Sequence, residues 1–216
     1  MNRVRDGRPM ISGRPFGLHI MDRARIQQQI HEERLALAEF LDGSTEAEWA
    51  HPTLCDGWTV HEVLAHVTLS NQDTLWALVT GIVRARGNWD RANADAAITH
   101  ARRFTPAELL TQLRDRAGDH RRSPGAGVLD PLADVIVHGQ DIARPLGRSL
   151  PIAPERVVAP LAHVLGSRFY GAQRRLRGKR LVATDIAFSH GAGPEEVCAP
   201  VVDLLLLATG RELVAR

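Results

Sequence analysis

The sequence predicts a mainly α-helical protein, in which a four-helix bundle is followed by a small α/β C-terminal region. Over residues 21–150, apolar residues recur at intervals of three and four, the pattern of helices with one buried face. From residue 151 onward, this pattern gives way to strand-like runs and glycine turns. Residues 1–20 carry four arginines among glycine, proline and serine and are predicted to form a disordered tail. Met21 directly precedes the first helical pattern, so whether residues 1–20 belong to the native protein stays open.

The first two helices are recognised by their apolar spacing and their ends. Helix one is predicted over residues 22–42, where an Asp-Gly-Ser sequence ends it. Helix two is predicted over residues 59–85, because Thr59 and Glu62 have the spacing of a capping box and apolar residues follow on one side.

The next two helices start with a cap followed by proline. Residues 87–103 have weak periodicity and are predicted to form a loop, with or without a helical turn. Helix three is predicted from the cap at Thr105 to about Arg121. Helix four begins in the same way at Asp130 and ends before Pro145. These helices complete the predicted bundle.

The C-terminal region is predicted to mix helix and strand. A further helix covers residues 154–172, and residues 180–188 have the composition of a strand. After a glycine turn, residues 197–198 are expected to pair back on that strand. A last helix runs from Pro200 to Gly210.

Composition excludes several classes of protein. The formal net charge is only +2, and no basic block is interleaved with aromatic residues, so nucleic acid is not an expected partner. The longest apolar run, residues 201–208, is much shorter than the roughly 20 residues of a membrane-spanning helix, so no membrane partner is expected either. Cys55 and Cys198 cannot build a disulfide framework, which makes the reducing cytoplasm the expected compartment.

Ten histidines make a metal site worth considering. His61 and His66 flank a glutamate as in a zinc-protease motif, but they stand five residues apart rather than four. Five residues separate two side chains by about 140° around a helix, so these histidines cannot share a metal. We therefore reject a protease and interpret His61 as a solvated residue in the first turn of its helix.

A second pair has the spacing that a metal needs. Asp134 and His138 are four residues apart and lie on one face of helix four, with Asp141 on the same side. The alternative is a solvent-facing polar stripe, since the opposite side of that helix is apolar. A third ligand would have to come from another helix. His66 lies on the flank of the apolar stripe of helix two and is a candidate, although a hydrogen-bonded core histidine is the commoner role.

Cys55 precedes the start of helix two, where the helix N-terminus can depress the pKa of a thiol. A nucleophilic cysteine is therefore one interpretation, and a small buried cysteine is the other. Trp58, Trp76 and Trp89 are interpreted as core residues or as the wall of a pocket. The chain contains no glycine-rich phosphate loop, nucleophile elbow or dinucleotide fingerprint.

Three stretches, in this order, carry a family resemblance. The first is Thr-Leu-Cys-Asp-Gly-Trp-Thr-Val at 53–60, continuing to Leu-Ala-His-Val at 64–67. The second is Asp-Val-Ile-Val-His-Gly-Gln-Asp-Ile-Ala-Arg-Pro-Leu-Gly at 134–147, and the third extends from Ala-Thr-Asp at 183–185 to Gly-Arg at 210–211. Together they resemble the mycothiol-dependent maleylpyruvate isomerase family, which belongs to the DinB-like metal-binding four-helix bundles.

The resemblance implies a site and a chemistry. It implies that a divalent metal, usually zinc, is held by His66, Asp134 and His138, and that Arg211 binds carboxylates of the substrate. Members of the family often have glutamate at the position of Asp134. The implied reaction uses mycothiol, a low-molecular-weight thiol, as cosubstrate. The thiolate adds to a conjugated double bond of a small electrophile, the new single bond rotates, and elimination gives the trans product, whereas an S-transferase would stop at the adduct. Asp141 is then either a partner of His138 or a surface residue.

Two other classes of function remain as alternatives. One is a non-catalytic binding or regulatory module that the metal merely stabilises. The other is a hydrolase that uses zinc-bound water and needs no thiol. The electrophile and the physiological metal are left open, and a homodimer is compatible with the sequence.

Overall fold

The computed structural model describes residues 22–69, 89–122 and 125–212. The described part of the first 150 residues is helical apart from the connections between the helices. Its helices are α1 (Arg23–Leu41), α2 (Glu46–Trp49), α3 (Val60–Leu69), α4 (Trp89–Arg103), α5 (Pro106–Asp115) and α6 (Asp130–Ala143).

Four of these helices pack pairwise around one core. α1 contacts α5 and α6, and α3 contacts the same two helices. Their apolar faces meet in a continuous cluster of fully buried side chains, which includes Leu37, Leu64, Leu109 and Ile136. These helices correspond to the four that the apolar spacing predicts. Burial of such faces, rather than helix propensity, supplies most of the stability of helices this short.

Polar caps fix where the helices begin and end. Thr105 and Glu108 form the predicted capping box at the start of α5, with each side chain bonded to the backbone of the other residue. α5 ends at Asp115 rather than at Arg121, so the predicted length of helix three is wrong. The reason is the buried guanidinium of Arg34, which donates to the carbonyls of residues 116, 117 and 119 and so satisfies the end of the helix.

The predicted loop over residues 87–103 is wrong, because α4 occupies most of this stretch and packs against α3. Among the side chains of this helix that the structure describes, the buried ones are Ala92, Ala97 and Ala101. Alanine has the highest helix propensity but adds little to a pattern of bulky apolar residues, so the periodicity was weak. α3 is described as far as Leu69, and the rest of predicted helix two, residues 70–85, lies outside the described residues.

The C-terminal region contains three helices and a three-stranded sheet in its described part. The elements are α7 (Pro154–Gly166), α8 (Ala172–Arg175), β1 (Lys179–Ala183), β2 (Ser189–His190), β3 (Glu195–Ala199) and α9 (Val201–Ala208). The predicted last helix is confirmed, whereas the predicted helix over residues 154–172 ends earlier, because Ser167 after Gly166 turns to an extended conformation.

The sheet order is β2-β1-β3, with β2 antiparallel and β3 parallel to β1. The predicted strand over residues 180–188 is therefore too long. Residues 197–198 pair with it as expected, but in the parallel direction. The chain turns after Ala183 and pairs β2 with β1. It then crosses β1 near Gly193, where a Cβ atom would lie 1.9 Å from the carbonyl oxygen of Gly178. Only glycine permits this close crossing.

The C-terminal region shares its core with the bundle. α7 packs on α6, and α9 packs on α7. Leu204, Leu205 and Leu206 of α9 belong to the same buried cluster as the bundle residues. This packing brings the segment after α9 back to the side of α6. Within the described residues, no helix is long and apolar enough to cross a membrane.

Candidate metal centre

Helix α6 has a polar face that points into the protein. Asp134, His138 and Asp141 follow one another at intervals of four and three, so they lie on one side of the helix. Their side chains are 26%, 13% and 0% exposed, in contrast to the alternative of a solvent-facing stripe. α3 packs against α6 and brings His66, 20% exposed, to this face. The structure thus brings together all three residues that the resemblance implies as metal ligands.

The two imidazoles and the carboxylate direct their ligand atoms at one small space. Asp134 Oδ1 lies 3.5 Å from His66 Nε2 and 3.4 Å from His138 Nε2. All three ligand atoms lie within 4.8 Å of one another. Tetrahedral zinc with ligands at 2.0–2.1 Å separates them by roughly 3.4 Å, because a tetrahedron edge is about 1.6 times the centre-to-vertex distance. Two nitrogens and one carboxylate oxygen therefore fit a divalent cation, with a fourth position left for an outside ligand.

Asp141 orients His138 from the opposite side of the ring. Its Oδ2 lies 2.9 Å from His138 Nδ1. When Nδ1 donates this hydrogen bond, Nε2 is the nitrogen that faces the metal position. Asp141 is completely buried, so the structure favours the interpretation as a partner of His138 over that as a surface residue.

Arg211 neutralises Asp141. The guanidinium binds both carboxylate oxygens, from Nε to Oδ1 at 2.9 Å and from Nη2 to Oδ2 at 2.5 Å. A third bond runs from Nη1 to the carbonyl oxygen of Thr209 at 3.1 Å. Arg211 therefore lies beside the candidate site, held in a bidentate ion pair whose carboxylate is fully buried.

Ion pairs and hydrogen bonds shift the pKa values of the titratable groups at this site. Burial alone would raise the pKa of Asp134, but His138 and His66 outweigh it and hold that pKa well below its usual range. Burial alone would lower the pKa of His138, but Asp134 and Asp141 raise it well above its usual value. The pKa of Asp141 is lowered to about 2, because the hydrogen bonds and charges of His138 and Arg211 outweigh burial. Both carboxylates therefore stay ionised at neutral pH.

Cys55 lies on the Nδ1 side of the His138 ring. The sequence alone did not predict a histidine beside this cysteine. Its Sγ lies 3.0 Å from Asp141 Oδ2 and 3.6 Å from His138 Nδ1. Cys55, His138 and Asp141 form a second group with ligand atoms close together. Arg211 Nη2 is 3.6 Å from the same sulfur, and a guanidinium in this position repels a cation. The group containing His66 and Asp134 is therefore the better metal site.

Two further side chains define the surroundings. The Trp58 ring packs against the hydrophobic core and lies 5.3 Å from the His66 ring, so it borders the candidate site. Trp76 lies outside the described residues, as does the side chain of Trp89. His61 is not the solvated residue that the sequence suggested: it is half-buried, and its Nε2 lies 3.0 Å from the carbonyl oxygen of Phe104.

The loop before α3 carries Cys55 to the site through backbone contacts. The N–H of Leu54 donates to the carbonyl oxygen of Asp141 at 3.1 Å, and Pro52 and Thr59 form an isolated β-bridge. Neither contact has a signal in a single sequence. Cys55 was singled out for its place near a helix start, but its neighbours were not predictable.

Comparison with known proteins finds a similarity over part of the chain. Residues 30–126 match the family model described as the mycothiol maleylpyruvate isomerase N-terminal domain. The matched stretch contains His66 and Cys55 and ends before Asp134, His138 and Arg211. No curated protein and no solved structure gives a significant match to the chain. Over residues 30–126, somewhat less than half of its length, this chain is thus similar to the mycothiol maleylpyruvate isomerase N-terminal domain.

Proposed function

We propose that this protein is a divalent-metal-dependent enzyme that activates a low-molecular-weight thiol, mycothiol, toward a small electrophile. The reaction is isomerisation of the electrophile or S-transfer to it. The observation that carries the proposal is the spacing of His66, Asp134 and His138, with separations of 3.4 and 3.5 Å around one space and one position open. We further propose that α1, α3, α5 and α6 form a DinB-like bundle, since the three ligands come from two facing helices.

The metal, which we propose to be zinc, would supply a positive charge that favours the thiolate over the thiol. The protein residues prepare the position for it. Asp134 stays ionised and provides the negative charge of the ligand set. Asp141 holds the His138 ring so that Nε2 faces the cation, and such partners raise the basicity of the ligand.

Arg211 is proposed to bind a carboxylate of the substrate. A guanidinium has five N–H groups, and Arg211 directs most of them at Asp141, Thr209 and Cys55. Because Asp141 already balances its charge, Arg211 has little freedom to form a new bidentate ion pair. Its contribution to binding is therefore a hydrogen bond from the remaining N–H of Nη1, a donor that the ion pair holds in place.

The proposal is tested by following thiol addition to maleylpyruvate and to a simple conjugated electrophile, with and without mycothiol. Metal-loaded protein should accelerate addition only when the thiol is present. His66→Ala should abolish the acceleration, whereas His61→Ala, a matched change on the same helix, should retain it.

Other outcomes would favour the alternatives. Turnover without added thiol would point to a hydrolase. Absence of turnover, with a melting temperature that falls when the metal is removed, would point to a metal-stabilised binding module. Full activity in His66→Ala would contradict the proposed site.

A further inference from the structure

A second polar cluster lies one helical turn before Asp134. Asp130, the first residue of α6, accepts hydrogen bonds from three groups. Its Oδ1 accepts from the Tyr170 hydroxyl at 2.8 Å and from His163 Nε2, and its Oδ2 accepts from the N–H of Gly127 at 2.5 Å. The three side chains come from α6, α7 and the loop before α8. None of them takes part in the metal centre described above.

The hydrogen bonds within this cluster determine which of its atoms can donate to a ligand and which can accept. Although burial alone would raise it, the pKa of Asp130 is lowered by its bonds to Tyr170, His163 and Gly127, so the group is a carboxylate and only accepts. His163 must therefore carry a proton on Nε2, and in the neutral ring Nδ1 is an acceptor. The pKa of Tyr170 is raised, first by burial and then by Asp130, so the phenol keeps its proton and offers the oxygen lone pairs.

The cluster is accessible to a ligand. The side chains of Asp130 and His163 are each 26% exposed. Phe169 is 72% exposed, and its ring packs edge-on against that of Tyr170 at 5.3 Å. Among the described residues, the other exposed large apolar side chain is Leu35, which is only 38% exposed, so Phe169 is unusual. Acceptors beside an exposed aromatic ring suit a ligand rich in hydroxyl groups, whose O–H groups donate and whose C–H faces pack on the ring.

The cluster lies close to the metal centre. Asp130 and Asp134 are one turn apart on the same face of α6, which places their Cβ atoms roughly 6 Å apart. The charge of Asp134 also contributes to the raised pKa of Tyr170, as expected for neighbouring groups. A ligand with one end at His66, Asp134 and His138 can therefore extend its other end toward Tyr170 and Phe169.

We propose that His163, Tyr170 and Phe169, with Asp130 behind them, bind the polyhydroxylated part of the thiol cosubstrate. This inference rests on the proposed function and assigns the remote end of the thiol to named residues. Binding energy from a part of the substrate that does not react can be used to position the reacting end.

A purely structural cluster would only hold α6 against α7. The test therefore has to distinguish ligand binding from this structural role. Mycothiol carries its cysteine on a glucosaminyl-inositol, whereas N-acetylcysteine offers the same thiol without the sugar. The ratio of kcat/KM for these two thiols measures recognition of the sugar part. Phe169→Ala should lower this ratio about tenfold, and His163→Ala by a similar factor, as for one lost ring contact or hydrogen bond.

The matched control is Leu35→Ala, which removes the other exposed apolar side chain and should leave the ratio unchanged. Phe169→Ala should also keep the melting temperature of the wild type, because its ring is largely in solvent. An unchanged ratio in Phe169→Ala and His163→Ala would overturn the inference.

A binding measurement keeps this inference separate from the proposed function. Glucosaminyl-inositol, which has no thiol, is titrated into the full chain by calorimetry. Binding to the wild type that is about tenfold weaker in Phe169→Ala supports the sugar site, whether or not any thiol reaction is seen. Equal affinity in the two proteins, or no binding to the wild type, contradicts it. Absence of turnover with both thiols contradicts the proposed function instead.

Discussion

Replacing Asp141 by asparagine should weaken both the fold and the candidate metal centre. Asp141 is fully buried and receives Arg211, His138 and the Cys55 thiol on its two oxygens. Asparagine has nearly the same volume, so no cavity is made. It lacks the negative charge, however, and its amide NH2 would face a donor on Arg211 or His138. The buried guanidinium would then lose its counter-charge.

The magnitude follows from the burial of the pair. Removing one partner of a buried ion pair costs about 3–5 kcal/mol, because the other charge is left uncompensated. For a chain of about this size, 1 kcal/mol shifts the melting temperature by about 2–4 °C, so a loss of about 6–20 °C is expected. Loss of a partner that orients a ligand histidine typically weakens metal binding by about 10–100-fold.

Two assays check this prediction. Thermal unfolding by circular dichroism, with and without zinc, gives the loss of stability, and competition with a chelating dye gives the zinc affinity. The control is Asp56→Asn, because Asp56 is exposed and lies next to Cys55 in sequence. Its melting temperature and zinc affinity should match those of the wild type. If Asp141→Asn also matched the wild type in both, the assignment of Asp141 as the support of His138 and Arg211 would be refuted.

Two further predictions concern stability. The folded pKa of Asp141, about 2, is below the ordinary value of 3.8, so its stabilisation is complete above about pH 5 and is lost as the pH falls toward 2. Between pH 6 and pH 3, urea unfolding should show a loss of about 1 kcal/mol in the free energy of unfolding that is absent in Asp141→Asn. The same pH dependence of the free energy of unfolding in both proteins would contradict this prediction. Gly193→Ala should lower the melting temperature, because the new Cβ atom would lie 1.9 Å from the carbonyl oxygen of Gly178. The control Gly166→Ala should leave the melting temperature unchanged, since a Cβ atom there has no neighbour within 4 Å. Equal melting temperatures of the two variants would show that β1 does not depend on this crossing.

The helices were predictable where their faces are bulky and their caps are specific. The Thr105 cap and the helical spacing of apolar residues around Ile136 are signals within a few residues of chain, and both helices begin where they are predicted. α4 was not predicted, because its buried side chains, as far as they are described, are alanines, and the helical pattern is recognised from large apolar residues. The parallel pairing of β3 was missed because it depends on a close crossing at Gly193, far from any local turn signal.

The candidate site was predictable only in part, for a similar reason. Asp134 and His138 share a helix face, so their spacing alone proposes a pair of ligands. The pairing of Asp141 with Arg211 joins residues 70 positions apart, and that of Cys55 with His138 joins residues 83 positions apart. Such contacts depend on how α9 folds back on the bundle and on how the loop before α3 is held. Spacing along one helix cannot supply them.

The measurement that tests the central claim most directly is the metal content of protein purified without a chelator or a metal-binding tag. Elemental mass spectrometry of the wild type should find about one divalent ion per chain, the number that one set of three ligands holds. His66→Ala and His138→Ala should each lose it, and His120→Ala, which changes an exposed histidine, should keep it. A wild type without metal, or variants that retain it in full, would contradict the assignment of His66, Asp134 and His138 as a metal centre.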